Sequence, residues 1–305
     1  MSAAPTDSDV VVHAVAPDGV TARLDRWAHE QWPAYLPSRT RAKKAAKAGE
    51  LRVDGQPAEP SRFVKQGQVV SLHRGSVITP RVLPLTLTVV FQDDQLAVVV
   101  KPGGLLTNGN RFATLEHALP ANLATSTAPD ALPWPRPVHR LDRATSGLVC
   151  CAKTHTAQVW LGRAFQERIV RKRYRAIVNG KLEGQRIVDT DIDGRSARST
   201  ITPVEHVRSL HTEWSTVVDL VPHTGRTHQL RRHCTQIGHS ILGDKLYPGE
   251  WPLLQRRGLF LCAVSLEVED PSGELRRWSI GAPEKFNLHC ARENRRYQAW
   301  QDRAE

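Results

Sequence analysis

The fifteen residues from His139 to Lys153 (HRLDRATSGLVCCAK) hold the strongest candidates for chemistry in this chain. One carboxylate, Asp142, stands between Arg140 and Arg143, and flanking cations favour its charged form. An ionised carboxylate in that setting is a nucleophile, a general base or a salt-bridge partner, and residue type alone does not choose among them. The small apolar run after Ser146 has the length and composition of a buried strand. The polar cluster therefore falls at the leading end of a strand, where a cleft would open.

Three further stretches have residues suited to chemistry or binding. Lys101-Pro102 closes an apolar run, and Gly103-Gly104-Leu105 follows, which a strand end and flexible turn explain. Lys172-Arg173-Tyr174-Arg175 sets one tyrosine among three cations on a strand-like run. That ring is either a half-buried strand residue or a face on which an unpaired base stacks. His223 to His233 (HTGRTHQLRRH), with Cys234 and His239 nearby, invites a metal hypothesis. Spacing argues against it, because His228 and His233 are five apart, unlike the i, i+4 pair of a zinc helix. A helix over Thr227–Gln236, with Arg226 at its N-terminus projecting toward an anion, is the better reading.

These residues need a frame, and the composition supports one large domain plus one small one in 305 residues. Lys and Arg total 42 against 31 Asp and Glu, a formal charge of +11 that favours a polyanionic partner, nucleic acid first. No stretch approaches the roughly 18 consecutive apolar residues of a membrane span, and the N-terminus lacks a signal-peptide pattern. A cytoplasmic location is expected. The five cysteines include no CxxC and read as reduced, partly buried thiols.

Along the chain, residues 1–18 read as a tail with one edge strand, VVVHAV. Residues 19–74 form a small compact pattern, 75–84 a linker, and 85–305 a domain of many short strands. In the small pattern Leu24, Trp27 and Ala28 share a helix face, and Ser38 caps a second helix running to Lys47 and stopping at Gly49. That helix carries Arg39, Arg41, Lys43, Lys44 and Lys47 with no acid inside it. It is a solvated face or a set of phosphate contacts. An Asp54-Gly55 turn follows. In the large domain, Leu87–Phe91 and Gln95–Val100 form a hairpin. Further strands fall at Leu148–Ala152, Tyr174–Val178, Ser215–Val221 and Leu259–Val268, with a helix over Thr156–Glu167. The five prolines of 120–137 mark a loop. Uneven strands with few crossover helices predict an α+β fold with a mixed, largely antiparallel sheet.

KPxGL, HRLDxxTSGLxxxAK, KxYxAxVxG and TGRTHQLRRH, in this chain order with ILGDxxY after them, resemble the motifs of the RluA-type RNA pseudouridine synthases. The pattern RLD, SR, basic helix, VDG and KxG from Arg23 to Gly67 is similar to an S4 RNA-binding module. The resemblance implies an isomerase that detaches uracil from ribose C1′, rotates it and reattaches it through C5, without metal or cofactor. It places the nucleophile at Asp142, the active-site tyrosine at Tyr174, and at Arg226 a basic residue paired with Asp142. Substrate contacts are expected from His139, Arg140, Lys101, Thr145, His228 and Gln229, and phosphate contacts from Arg39, Arg41, Lys43 and Lys44. Where the family continues from KPxGL toward a His-Pro, this chain has Thr107-Asn108-Gly109-Asn110. The implied partner is RNA, ribosomal before transfer RNA, with no membrane association, and the protein is expected to be a monomer. A catalytically silent RNA-binding protein is the alternative; it would have been signalled by loss of Asp142, Tyr174 or Arg226, and all three are present.

Overall fold

The computed structural model describes residues 10–73, 82–109, 111–251 and 257–304. Most of the stretch read as a linker, and Asn110, lie outside the described residues. The chain divides into two compact units, residues 1–79 and 80–305.

The first unit runs β1 (Val10–Val15), β2 (Thr21–Arg23), α1 (Leu24–Gln31), α2 (Arg39–Lys47), β3 (Leu51–Val53), β4 (Gln56–Pro57), β5 (Phe63–Lys65) and β6 (Val69–His73). A four-stranded sheet has the order β1-β6-β3-β4, and β2 pairs with β5. The VVVHAV strand thus joins the sheet rather than trailing from it. Ser38 accepts the Arg41 N–H at 3.2 Å and so caps α2. Asp54 and Gly55, both with positive φ, make the tight turn between β3 and β4. Leu24, Trp27 and Ala28 of α1 meet Ala42, Ala45 and Ala46 of α2 in the core. Three alanines on one stripe let the helices approach and leave the long cationic side chains on the other faces.

The acids that α2 lacks come from elsewhere in the unit. Asp25, with no exposed surface, takes Arg39 at 3.2 Å, Arg23 at 3.3 Å and Lys43 at 3.8 Å, and Glu50 takes Arg41 at 2.9 Å. Burial alone would raise the Asp25 carboxyl, but hydrogen bonds and charge from Arg39 and Arg23 hold it below the usual range. The helix is therefore partly neutralised by its own unit.

The second unit runs β7 (Thr88–Gln92), β8 (Leu96–Lys101), α3 (Leu115–Ala118), β9 (Ala131–Pro137), β10 (Ser146–Thr154), α4 (His155–Gln166), β11 (Arg171–Asn179), β12 (Arg186–Asp189), β13 (Arg198–Ser209), β14 (Glu213–Pro222), α5 (Gln229–Gln236), β15 (Leu261–Glu269), β16 (Leu275–Ser279) and α6 (Glu284–Ala304). One ten-stranded sheet holds them, in the order β12-β13-β14-β11-β15-β10-β8-β7, with β9 on β10 and β16 on β15. Its strand pairs are antiparallel except β10 with β15. The expected α+β architecture is the observed one.

β10 is buried on both faces, which is why its sequence is continuously apolar. Leu148 and Cys150 pack with Leu161 of α4, while Val149 and Cys151 pack with Leu115 of α3. Two expectations fail here. The proline-rich stretch before the key motif is not all loop, since Ala131–Pro137 is strand β9. Val138 extends its pairing by donating to the Cys150 carbonyl at 3.0 Å, so Pro135 and Pro137, an odd number of residues away, turn their nitrogens from the ladder. The 21-residue helix α6 was not foreseen either; it packs Phe286 against Phe260 and Val264.

Gly147 is where β10 meets β15 in parallel, at φ +118, and a Cβ there would run into the backbone O and N of Ala263. Gly147→Ala should therefore destabilise the second unit by about 3 kcal/mol or more, combining positive-φ strain with a backbone clash. Urea unfolding of the variant checks this, and a loss under ~1 kcal/mol would show that the two strands separate cheaply.

Candidate active site

Between β9 and β10 the chain turns through Val138–Thr145, and this turn presents Asp142. Each of its neighbours is pinned. His139 Nε2 accepts the Cys150 N–H at 3.0 Å, and its ring lies 4.1 Å from that of Phe165. Burial and the charge of Lys172 push the imidazole down to about 3, so it is neutral and an acceptor at physiological pH. Leu141 is gripped from both sides by Thr107, whose hydroxyl donates to its carbonyl at 3.0 Å and accepts its N–H at 3.1 Å. The Thr145 N–H closes the turn on the Asp142 carbonyl at 3.1 Å. Beneath lies Lys101, with no exposed surface, donating to the carbonyls of Leu105 (2.7 Å), Pro102 (3.0 Å) and Arg143 (3.3 Å). Gly104 and Arg143 exchange two more hydrogen bonds, at 2.7 and 2.9 Å. The Lys-Pro-Gly-Gly-Leu segment is thus the brace of the Asp142 turn, and Lys101 cannot reach a substrate as was expected of it. Burial lowers its ammonium to about 8, opposed by the charge of Asp142.

The braced carboxylate, with 27% of its side chain exposed, faces a cavity of about 590 Å³. That is room for a nucleotide. Tyr174 of β11 lines the same cavity, its ring half-buried against two clusters of the core. Burial first, then the charges of Asp142 and Cys262, push its phenol well up, so it stays protonated at neutral pH. Arg140, Lys172 and Arg226 bring positive charge to the walls, and Thr145 is buried beside Asp142. Arg140 is exposed and makes no ion pair among the described residues.

The opposite wall departs from expectation. Helix α5 begins at Gln229, two residues later than read, after His228 in the left-handed region at φ +54. Arg226 therefore sits in the preceding turn and donates to the Ser196 carbonyl at 2.9 Å instead of pairing with Asp142. The nearest basic group to Asp142 is His228, with Nε2 3.8 Å from Oδ1 and Nδ1 3.1 Å from the Tyr247 hydroxyl. Gln229, expected to contact substrate, lines the cavity, and its amide is engaged by the protein. Its amide accepts from Thr224 Oγ1 (2.6 Å) and Arg226 N (3.0 Å) and donates to Ser199 Oγ (2.8 Å) and Arg198 O (2.9 Å).

The residue that sequence reasoning passed over is Arg231. It is nearly buried, lines the cavity, and forms a bidentate pair with Asp244 at 2.6 and 2.7 Å. Burial would lower its guanidinium, but Asp244 and then Asp142 outweigh that and raise it. A buried guanidinium that feels the Asp142 charge has the electrostatic character that the resemblance placed at Arg226. The signal was present in Ile241-Leu242-Gly243-Asp244, whose lone acid needs a cation from the same layer. Among the described residues no three metal-ligating side chains cluster, and none of the helices is long and apolar enough to cross a membrane. Arg39, Arg41, Lys43 and Lys44 belong to the first unit and are not part of this cavity.

The comparisons with known proteins agree with this geometry. Residues 95–236 match the RNA pseudouridylate synthase family and residues 34–70 the S4 domain. An uncharacterized RNA pseudouridine synthase of Aquifex aeolicus is 31% identical over 88% of this chain and 93% of its own length. Ribosomal large subunit pseudouridine synthase D of Nitrosomonas europaea is 31% identical over 93% of this chain and 88% of that protein. The structure of human RNA pseudouridylate synthase domain containing 1 superposes with a TM-score of 0.54 at 26% identity, covering 70% of this chain and 87% of that one. The fold and cavity thus define an RNA-modifying isomerase. The chain belongs to the RNA pseudouridine synthase family, in its RluA-type branch with an N-terminal S4 domain.

The neutral His139 gives a pH test. Its folded value lies below the ordinary 6.5, so between pH 6.5 and about 3 the unfolded chain binds a proton that the native one refuses. Stability should be fully present above pH 6.5 and fall on acidification by at most about 1.4 kcal/mol per pH unit from this group. His139→Gln retains an acceptor without the titration, so denaturant titrations should give it a shallower acid slope than the parent. Identical slopes would mean that the imidazole is protonated in the fold.

Proposed function

We propose that Asp142 is the nucleophile with which this enzyme converts uridine to pseudouridine in large-subunit ribosomal RNA. One observation carries the reading: a single carboxylate on a braced turn, open to a nucleotide-sized cavity whose wall holds a tyrosine ring. The ribosomal target is supported by relatives whose names assign them to the large subunit.

The reaction breaks the N1–C1′ bond, turns the freed uracil and forms the C5–C1′ bond; the proton lost at C5 is balanced by one gained at N1, so no other reactant is consumed. The target base must leave its stack before Asp142 can reach it. Tyr174 then supplies a ring face for the uracil, and its protonated phenol keeps a second negative charge away from Asp142. Arg231, clamped by Asp244, sets a fixed positive potential behind the carboxylate. Arg140, exposed at the rim beside Asp142, is suited to filling the gap left in the RNA or to meeting a phosphate.

Asp142→Asn should lose pseudouridine formation entirely while keeping fold and RNA affinity, since shape is preserved and the anion is not. Turnover by that variant, prepared free of parent enzyme, in a chromatographic nucleoside assay would overturn the role. Tyr174→Leu should lower the rate by at least about tenfold, on a stacking contribution of ~1–3 kcal/mol, and Tyr174→Phe should bind RNA as the parent does. A fully active leucine variant would reduce the tyrosine to a packing residue.

A further inference from the structure

At the far end of β14 from the cavity, four planar groups lie in a row. The Arg208 guanidinium is 3.7 Å from the centroid of the Trp214 ring and 5.0 Å from that of Tyr297 on α6. Tyr297 in turn lies 5.7 Å from Trp300, whose surface is 53% exposed. On α6 Trp300 follows Arg296 by four residues and precedes Arg303 by three, so an arginine flanks the open indole on each side of one helix face. Arg296 leans on Glu293 at 3.1 Å, and Arg303 has no ion pair among the described residues. Glu213 approaches Arg208 only to 3.8 Å.

An exposed tryptophan backed by a row of ring and guanidinium contacts and bracketed by cations matches the chemistry of unpaired nucleic acid. Every base offers a π-face to an indole, and the phosphates on either side of a stacked base need positive charge. Paired RNA hides its base faces, so it would find only the charges. The chain's excess of cations favours a polyanion over an apolar protein partner, and the open indole favours one that carries bases. Trp214 and Pro222, the latter a cavity residue, are eight residues apart on one strand. At ~3.3 Å per residue that is about 26 Å, too far for the target uridine itself.

We propose that Trp300, supported by Tyr297, Arg208 and Trp214, is a second RNA site that stacks an unpaired base of the substrate remote from the modified uridine. This rests on the RNA-modifying activity but not on the identity of the nucleophile. It would add affinity and register for large structured RNA without taking part in chemistry.

The test measures Kd by filter binding for the full chain and its Trp300→Ala and Trp300→Phe variants. The probes are a mixed-sequence single-stranded oligoribonucleotide and a fully paired RNA hairpin. The alanine variant should bind the single strand about tenfold more weakly, in the range expected for one lost base stack, with melting temperature and hairpin affinity unchanged. The phenylalanine variant should recover most of the loss. Unchanged single-strand affinity in the alanine variant, or equal losses for both probes, would overturn the proposal. The expected Trp300 losses, found together with turnover by Asp142→Asn, would defeat the nucleophile assignment and leave this site standing.

Discussion

The geometry of the candidate site depends on a buried ammonium. Lys101 has no surface exposed, and its Nζ is taken by the carbonyls of Pro102, Leu105 and Arg143. Removing an ammonium from water is costly unless its protons find partners, and here three backbone acceptors and the charge of Asp142 offset that cost. The consequence is mechanical. Three carbonyls from two separate turns converge on one atom, so the turn that carries Asp142 cannot move away from the glycine pair without leaving a charge unsatisfied. Thr107 adds a second grip at Leu141, one residue before the carboxylate. A nucleophile must be held within a fraction of an ångström of its productive position, and a loop residue reaches that only when neighbouring backbone is fixed in this way.

The facing wall uses the same logic with side chains. Gln229 satisfies its whole amide within the Thr224–Arg226 turn and β13. Arg231 and Asp244 lock each other bidentately, and Asp244 also accepts the N–H groups of Leu246 and Tyr247. Removing either partner would strand a buried charge, so α5 is fixed to the segment after it. His228, in a left-handed conformation at the helix start, is thereby held between Tyr247 and Asp142. Two walls held by internal hydrogen bonds thus enclose the cavity, with the half-buried tyrosine between them.

What could be read from the sequence was what local pattern controls. The Asp54-Gly55 turn, the Ser38 cap, the apolar run of β10 and the α+β class all follow from short-range periodicity and turn chemistry, and all appear as expected. Asp142 and Tyr174 were legible because the motif and the strand alternation bring them to one cavity. Arg226 and Arg231 were not separable in this way. Both arginines fall in or beside one predicted helix, and which of them is buried against Asp244 depends on where α5 starts, which His228 decides through its positive φ. Lys101 and Gln229 stand differently in the fold than their sequence setting suggests, for a related reason. A polar residue in a motif looks like a ligand contact until its hydrogen bonds are counted, and both prove to be saturated inside the protein. The strand β9 was hidden by its prolines, whose placement is harmless only because the pairing register turns their nitrogens outward.

The basic helix of the S4 unit carries the same lesson into electrostatics. Five cations with no acid on α2 suggested a bare phosphate-binding face, yet Arg39 and Lys43 lean on the buried Asp25 and Arg41 on Glu50. A cation already paired releases fewer counterions when it meets a phosphate, since part of its charge is compensated beforehand. Lys44 and Lys47, for which no ion pair occurs among the described residues, keep their full charge. The paired arginines serve first to orient α2 on α1, through a carboxylate that could not be buried without them. The unit thus spends some of its cations on holding the helix in place, so fewer free charges are left for a polyanion than the sequence count suggests.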